Sequence, residues 1–192
     1  MKKKNIIIIS APSCSGKNSI YNEVHKNNPE LLQTISDTTR KIRSGEKEGV
    51  DYNYMSMRKF KENIKNELYI EYNFYNGNFY GTPTAQIFDL INDKTPIVLI
   101  IDVNGASKVK KLFGEQVATI FIMPPSLNEL KQRMIDRGEN TLDELNERIR
   151  IAELEIAQAN RYDYCVINED LEQASNEVNK IIKQIITDMK GV

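Results

Sequence analysis

The sequence predicts an α/β fold: a parallel sheet with helices on both faces, a mixed α/β insertion and a helical lid. Three observations predict it. Residues 5–10, 96–101 and 117–123 are nearly unbroken apolar runs, as in strands buried on both faces. Stretches of helical periodicity separate them. Between about 37 and 92 the alternation fails, giving way to a polar loop, aromatic runs and an Asn76-Gly77 turn signal.

Composition sets the limits. The chain has 192 residues, 26 Lys plus Arg against 27 Asp plus Glu, and a formal net charge of −1. Length predicts one domain, or one core with an insertion. With 28% charged and 40% hydrophobic residues, wholesale disorder is excluded. The charge balance offers no general attraction to nucleic acid or to an anionic membrane, so neither is expected as a partner. The apolar run at 6–9 falls far short of the roughly 20 residues of a spanning helix. The three lysines before it read as a solvated lead-in. Cys14 and Cys165 lie far apart, and His25 is the one histidine. That excludes a zinc site and histidine-based triads, and it suits reduced thiols in the cytoplasm.

In chain order, residues 5–10 form the first strand, 11–16 a small-residue loop, and 17–27 a helix ended by Pro29. Residues 31–35 are a short strand and 36–50 a long polar loop. Then come a strand at 52–55, a helix at 58–66 and an aromatic strand at 68–75, which turns at Asn76-Gly77 into a hairpin. Pro83 suits the first turn of a helix reaching about residue 92. The parallel pattern resumes with strand 96–101, helix 106–113 and strand 117–123. Pro124-Pro125-Ser126 is a stop and N-cap. The next helix turns Leu127, Leu130 and Met134 inward, and residues 137–141 break it. Leu142, Leu145, Ile149, Ala152 and Ile156 recur at helical spacing. A last strand, 163–168, and a last helix, 171–189, follow. The core is therefore 1–36 and 93–192 with a lid at about 137–148, and the insertion is 37–92.

Ala11-Pro12-Ser13-Cys14-Ser15-Gly16-Lys17 follows a strand and opens a helix. That context suits a phosphate loop: backbone N–H groups and the helix N-terminus meet phosphate oxygens, and a lysine reaches the outer phosphates. The spacing matches G-x-x-x-x-G-K-[ST], with Ala11 in place of the first glycine and Asn18 in place of the hydroxyl residue. A hydroxyl there normally meets Mg²⁺. Here either the Asn18 amide oxygen does so, or water and nucleotide oxygens hold the ion.

Ser36-Asp37-Thr38-Thr39-Arg40-Lys41-Ile42-Arg43 places two arginines on a loop at a spacing that can grip a phosphate bidentately. Tyr52, after Gly49-Val50-Asp51, adds a hydroxyl. Glu71 can accept two hydrogen bonds from the N1–H and 2-amino group of guanine, a donor pair adenine lacks. A hydroxyl of Ser36 or Thr82 can donate to guanine O6. Arg133 and Arg137 share one helix face, and Arg148 lies on the next helix, one step off its apolar stripe. Tyr162 and Tyr164 read as packing residues, Cys165 as a buried small hydrophobe, and His25 as a solvated or capping residue.

Together these motifs resemble the guanylate kinase family over nearly the whole chain. The most specific stretches are 36–43, Gly49-Val50-Asp51-Tyr52, the 77–82 hairpin, Ile101-Asp102-Val103-Asn104-Gly105, Pro124-Pro125-Ser126-Leu127 and Asn168-Glu169-Asp170-Leu171. The resemblance implies a P-loop kinase fold and Mg²⁺-dependent transfer of the ATP γ-phosphoryl to GMP. It implies that Ser36, Glu71 and Thr82 read guanine, and that Arg40, Arg43, Tyr52 and Tyr80 hold the GMP phosphate. Pro12, Ser13, Cys14, Ser15, Gly16, Lys17, Asn18 and Ser19 would hold ATP phosphates, with Arg133, Asn168 and Glu169 on the ATP side. Asp102 would face nucleotide and magnesium, with Asn18 as the other candidate for the ion. Ile100 stands where the family often has a second acid. Lys17, Arg43, Arg137 and Arg148 would carry the transfer. The expected partners are ATP and GMP, and the chain is a monomer or homodimer. Two rivals stand beside this reading: an inactive phosphopeptide-binding module of the same family, and a related sugar-phosphate kinase. The module would have an eroded ATP site, whereas Gly16, Lys17 and the lid arginines are present. The sugar-phosphate kinase would lack the guanine-reading set.

Overall fold

The computed structural model describes residues 5–91, 96–138 and 141–190. The lysine lead-in, the residue-92 helix end and positions 139–140 of the lid lie outside the described residues. The chain runs β1 (Ile6–Ser10), α1 (Lys17–Asn27), β2 (Leu32–Gln33), β3 (Asp37–Thr38), β4 (Asn53–Tyr54), α2 (Met57–Lys65), β5 (Tyr69–Tyr75), β6 (Asn78–Pro83) and α3 (Thr84–Leu90). It continues with β7 (Ile97–Ile100), α4 (Val103–Phe113), β8 (Val117–Met123), α5 (Leu127–Asp136), α6 (Leu142–Ile156), β9 (Tyr164–Ile167) and α7 (Leu171–Lys190).

One sheet has the order β2-β7-β1-β8-β9, and every pairing in it is parallel. Strand alternation splits its apolar side chains between two faces. Ile7 and Ile9 pack with Ile20, Val24, Val178 and Ile182 of α1 and α7. Ile6 and Ile8 pack with Ile87, Ala106 and Val109 of α3 and α4. Each such buried isoleucine contributes roughly 1.5–3 kcal/mol, so a charge anywhere in 6–9 would abolish the core. The chain leaves β1 toward one edge and later returns to the other. The carboxyl ends of β1 and β7 therefore meet at a switch point, where open α/β sheets form their crevices.

The second sheet, β4-β3-β6-β5, is mixed. Its hairpin turns on Asn76 (φ 45°) and Gly77 (φ 73°). Positive φ at both central residues gives the type I′ turn that matches strand twist. Phe60 of α2 stacks on Tyr69 and Phe79, at 4.4 and 5.1 Å between ring centroids, and anchors α2 to this sheet.

Several elements differ from the sequence expectation, each for a local reason. The second strand is two residues, because the Gln86 side chain takes both backbone groups of Ile35, at 2.7 and 2.8 Å. The strand at 52–55 shrinks to Asn53–Tyr54. Pro83 ends β6, and α3 starts one residue later. Helix α4 begins at Val103, three residues before its predicted start, because Asp102 caps it by accepting from Gly105 N at 2.7 Å. Leu127 and Leu142 are 37% and 79% exposed rather than inward. Each is the first residue of its helix, and the buried stripe starts one turn later with Leu130 and Leu145. Cys165 is exposed, not a core residue, because it sits on edge strand β9 facing away from α7. His25 stacks on Tyr21 at 5.7 Å rather than standing free in solvent. Tyr162 packs edge-on against Phe121.

Candidate active site

The loop after β1 bends through two left-handed residues, Cys14 (φ 68°) and Gly16 (φ 88°), before α1 begins at Lys17. Gly16 leaves no room for a Cβ, because Asn168 Nδ2 fills that space while donating to Ser15 O at 2.8 Å. Among the described residues no side chain caps the start of α1, and no acid lies in its first turn. Its free N–H groups and positive dipole end therefore face the loop's hollow, the arrangement an anion requires. Lys17 Nζ reaches Ile101 O at 3.3 Å. Desolvation lowers the lysine pKa, while Asp102, Glu155 and Glu71 pull it back up.

An open cleft of about 580 Å³ runs from this loop to the second sheet. That volume is ample for nucleotide-sized ligands. Every residue from Ala11 to Ser19, the loop and the first turn of α1, lines it on one side. Ser36, Arg40, Arg43, Tyr52, Glu71 and Tyr80 line it on the other. Asp102 and Ile100 form part of its floor, and Arg137 and Arg148 its roof. Asn18 and Ser19 are exposed at its mouth.

The polar groups across the cleft are already linked. Ser36 Oγ lies 3.3 Å from Thr82 Oγ1, which donates to Glu71 Oε1 at 2.6 Å. Thr82 itself is fully buried behind this chain of groups and does not line the cleft. Burial raises the Glu71 pKa to about 7, against the opposing bond from Thr82. Arg40 forms a two-pronged ion pair with Glu46, at 2.8 and 2.9 Å, and lies over the Tyr52 ring at 5.4 Å. Burial would raise the Glu46 pKa, but Arg40, the Arg43 N–H and the Tyr54 hydroxyl outweigh it and hold it at about 2. Tyr52 and Tyr80 meet edge to face at 5.9 Å.

From the roof, Arg148 Nη2 donates to Ser13 Oγ at 2.8 Å and lies 3.5 Å from Cys14 Sγ. Arg137 Nη1 reaches the same sulfur at 3.5 Å. Arg148 was expected beside the apolar stripe but is 4% exposed, because the stripe packs α6 onto α5 and presses it toward the loop. Arg133 is not brought into the cleft. It pairs with Glu129 at 2.7 Å and donates to Asn168 O at 3.1 Å. Asn168 supports the loop from outside, and Glu169 is exposed.

Sequence reasoning missed several residues of the site. Glu46, Asn73, Tyr75 and Glu155 were not singled out, and Gly105 appeared only within a family-specific stretch, without a role. Glu155 follows Arg148 by two helical turns, so the spacing places both on one face. Glu71, Asn73 and Tyr75 alternate along one strand. Both signals were available.

Comparisons with known proteins agree with one another. Residues 3–185 match the family model described as "Guanylate kinase". A guanylate kinase from Clostridioides difficile is 39% identical over 182 residues, covering 95% of this chain and 88% of that protein. One from Carboxydothermus hydrogenoformans is 37% identical, covering 95% and 89%. The crystal structure of a guanylate kinase from Anaplasma phagocytophilum superposes with a TM-score of 0.77 at 33% identity, covering 96% of this chain and 88% of that one. A gluconokinase from Sinorhizobium meliloti, at 10% identity and a TM-score of 0.51, shares the fold.

Proposed function

The chain belongs to the guanylate kinase family, and from that premise we infer how its cleft works as a nucleoside monophosphate kinase that transfers the γ-phosphoryl of ATP to GMP. The observation that carries the reading is the placement of two unlike groups in one cleft. The Ser36–Thr82–Glu71 chain of polar groups faces Lys17 and the anion-ready loop. Ionised Glu71 accepts from the guanine N1–H and 2-amino group, Ser36 offers the base a hydroxyl, and buried Thr82 holds Glu71 from behind. Arg40, Arg43, Tyr52 and Tyr80 hold the acceptor phosphate. The loop N–H groups and Lys17 hold the donor phosphates. Arg148 and Arg137, already on the loop, neutralise charge as the phosphoryl group passes, so positioning and electrostatics supply most of the rate. Asn168, Glu169 and Arg133 lie on the ATP side, with Arg133 acting through Asn168. The lid spans about 137–148, and residues 37–92 form the acceptor lobe.

Magnesium fits this site in a limited way. Each Asp102 oxygen accepts one hydrogen bond and keeps a second lone pair, Asn18 offers an amide oxygen, and Ile100 offers none. Among the described residues no cluster of three acidic, His or Cys side chains occurs. That donor set suits an ion held largely by phosphate and water oxygens, with Asp102 and Asn18 adding to its shell. When bound, the ion neutralises phosphate charge. The reading places the protein in the cytoplasm, acting on small-molecule substrates. Among the described residues no helix is long and apolar enough to cross a membrane.

A coupled ADP-release assay with GMP, dGMP, AMP, UMP or ribose 1,5-bisphosphate as acceptor tests the reading. Release with GMP, lost in Lys17→Ala and reduced in Glu71→Ala, is expected. Release with the sugar phosphate instead, or GMP binding without release, would replace it with one of the two rivals.

A further inference from the structure

Strand β5 alternates. Tyr72 and Phe74 face out, 39% and 55% exposed, while buried Glu71 and half-buried Asn73 and Tyr75 point the other way, toward α4 and the cleft. At a rise of about 3.3 Å per residue those three side chains span roughly 13 Å. Each meets a different part of the nucleotide machinery. A Cβ at Gly105 would come within 2.5 Å of Glu71 Oε2, so the base-reading carboxylate rests directly on the first turn of α4. Asn73 Nδ2 donates to Asp102 Oδ2 at 2.7 Å. Tyr75 lines the cleft beside Ser13 and Arg148 at the donor loop.

The middle contact closes a ring. Asp102 spends one oxygen on Gly105 N and the other on Asn73. Gly105 in turn carries Glu71, and Glu71 returns along β5 to Asn73. The Asn73 amide is fixed at its other end too, because its Oδ1 accepts from Phe74 N at 2.9 Å. Asp102 is also the leading anion around the Lys17 ammonium. A neutral amide donor is the group a carboxylate needs there. An apolar residue would leave Asp102 Oδ2 without this bond, and an acid would repel it. The strand is stiff enough to carry a displacement, being paired with β6 along its whole length from Tyr69↔Pro83 to Tyr75↔Asn78, with one bulge.

We propose that Asn73 is a positioning residue that joins the acceptor site to the donor loop, with Tyr75 as a second contact on the same strand, so that GMP bound at Glu71 tightens ATP binding at Lys17. Linkage makes the effect reciprocal: ATP tightens GMP by the same factor. The inference rests on the reading of the cleft as an ATP–GMP site.

Calorimetric titration tests it. The non-hydrolysable ATP analogue AMP-PNP is titrated with magnesium, with and without GMP, into the parent, Asn73→Ala, Asn73→Asp, Tyr75→Phe and the Asn73→Ala/Tyr75→Phe pair. The parent should bind the analogue at least about fivefold more tightly with GMP present, the lower end of ordinary coupling. Asn73→Ala should lose most of that factor while GMP affinity measured alone changes less than about twofold. Asn73→Asp, which keeps the shape and loses the donor, should lose at least as much. Tyr75→Phe should lose part, and the pair no less than Asn73→Ala alone. A parent with no coupling would overturn the inference, as would Asn73 variants that keep it. So would loss of GMP affinity in step with melting temperature, which marks a mere brace. A parent that binds no GMP would overturn the reading of the cleft itself.

Discussion

Glu71 shows how a single residue is set for its task at a cost. Burial raises its pKa to about 7, so near neutrality it is part protonated in the free enzyme. Only the ionised form accepts both guanine donors. Hence kcat/KM for GMP should fall as pH drops below 7, by up to tenfold per unit. Glu71→Gln should lower it about 10- to 100-fold at pH 8, the worth of one or two charged hydrogen bonds, and should flatten the profile. A variant profile parallel to the parent's would refute this assignment. Stability runs the opposite way. The unfolded chain ionises this group near 4.5 and the folded one near 7, so folding takes up a proton in that window and parent stability declines as pH rises through it. The melting temperature of Glu71→Gln relative to the parent should therefore rise between pH 5 and 8. Gly105→Ala acts on the same carboxylate by sterics. It should weaken GMP binding more than tenfold and leave AMP-PNP binding measured alone nearly intact, a split that titration of each ligand reads directly. The sequence picked out Ser36, Glu71 and Thr82 through their residue types and the family resemblance, and the structure links the three side chains. Their dependence on Gly105 was not legible, because that contact joins segments far apart in the chain, and periodicity carries no trace of it.

Elements were legible where one face is buried and the caps are chemical. Strands β1 and β8 and helices α5 and α6 follow from apolar pattern and, for α5, from the Ser126 cap; the structure adds a Thr141 cap to α6. The exceptions have three causes: a distant partner, a local cap the apolar pattern does not show, and an uncovered sheet edge. Gln86 shortens β2, Asp102 lengthens α4, and edge strand β9 leaves Cys165 without a covering layer. The first cause also locates a function in the turn between β9 and α7. Asn168 holds Ser15 O and fills the space beside Gly16, and Arg133 braces Asn168 from α5. Neither lines the cleft. Asn168→Ala should therefore weaken ATP binding about tenfold through a slackened loop, with GMP affinity unchanged. Arg133→Ala should do less of the same, because its other partner is the exposed Glu129. Titration with AMP-PNP and with GMP separately would detect the split. Equal loss of both ligands would show that this turn supports the whole fold rather than the donor loop.

At the scale of the molecule, two sheets meet at a cleft filled with groups that the apo fold would rather not bury. Lys17, Glu71 and Glu155 all have pKa values moved by desolvation, the two carboxyls to about 7. The apolar core under α1, α7, α3 and α4 offsets that cost. Lys17→Met keeps the side-chain length and removes a desolvated ammonium that donates to Ile101 O. Replacing such a charge with an apolar group is commonly neutral or stabilising. The sign depends on the anions left behind. Asp102, the leading anion around Lys17, loses its cation, but below pH 7 Glu71 and Glu155 are mostly protonated in the fold, so little further charge is stranded and the variant should melt at or slightly above the parent. Above pH 8 both carboxyls are ionised and have lost a compensating cation, so the gain should shrink or reverse. Phosphoryl transfer should fall at least about a hundredfold at every pH, because the proposed reading puts Lys17 on the donor phosphates. Calorimetric scans at pH 6 and 8.5 beside the ADP-release assay give the answer. Stability lost at both pH values would show that Lys17 holds the fold together, and the view of the cleft as strain carried for function would fall with it.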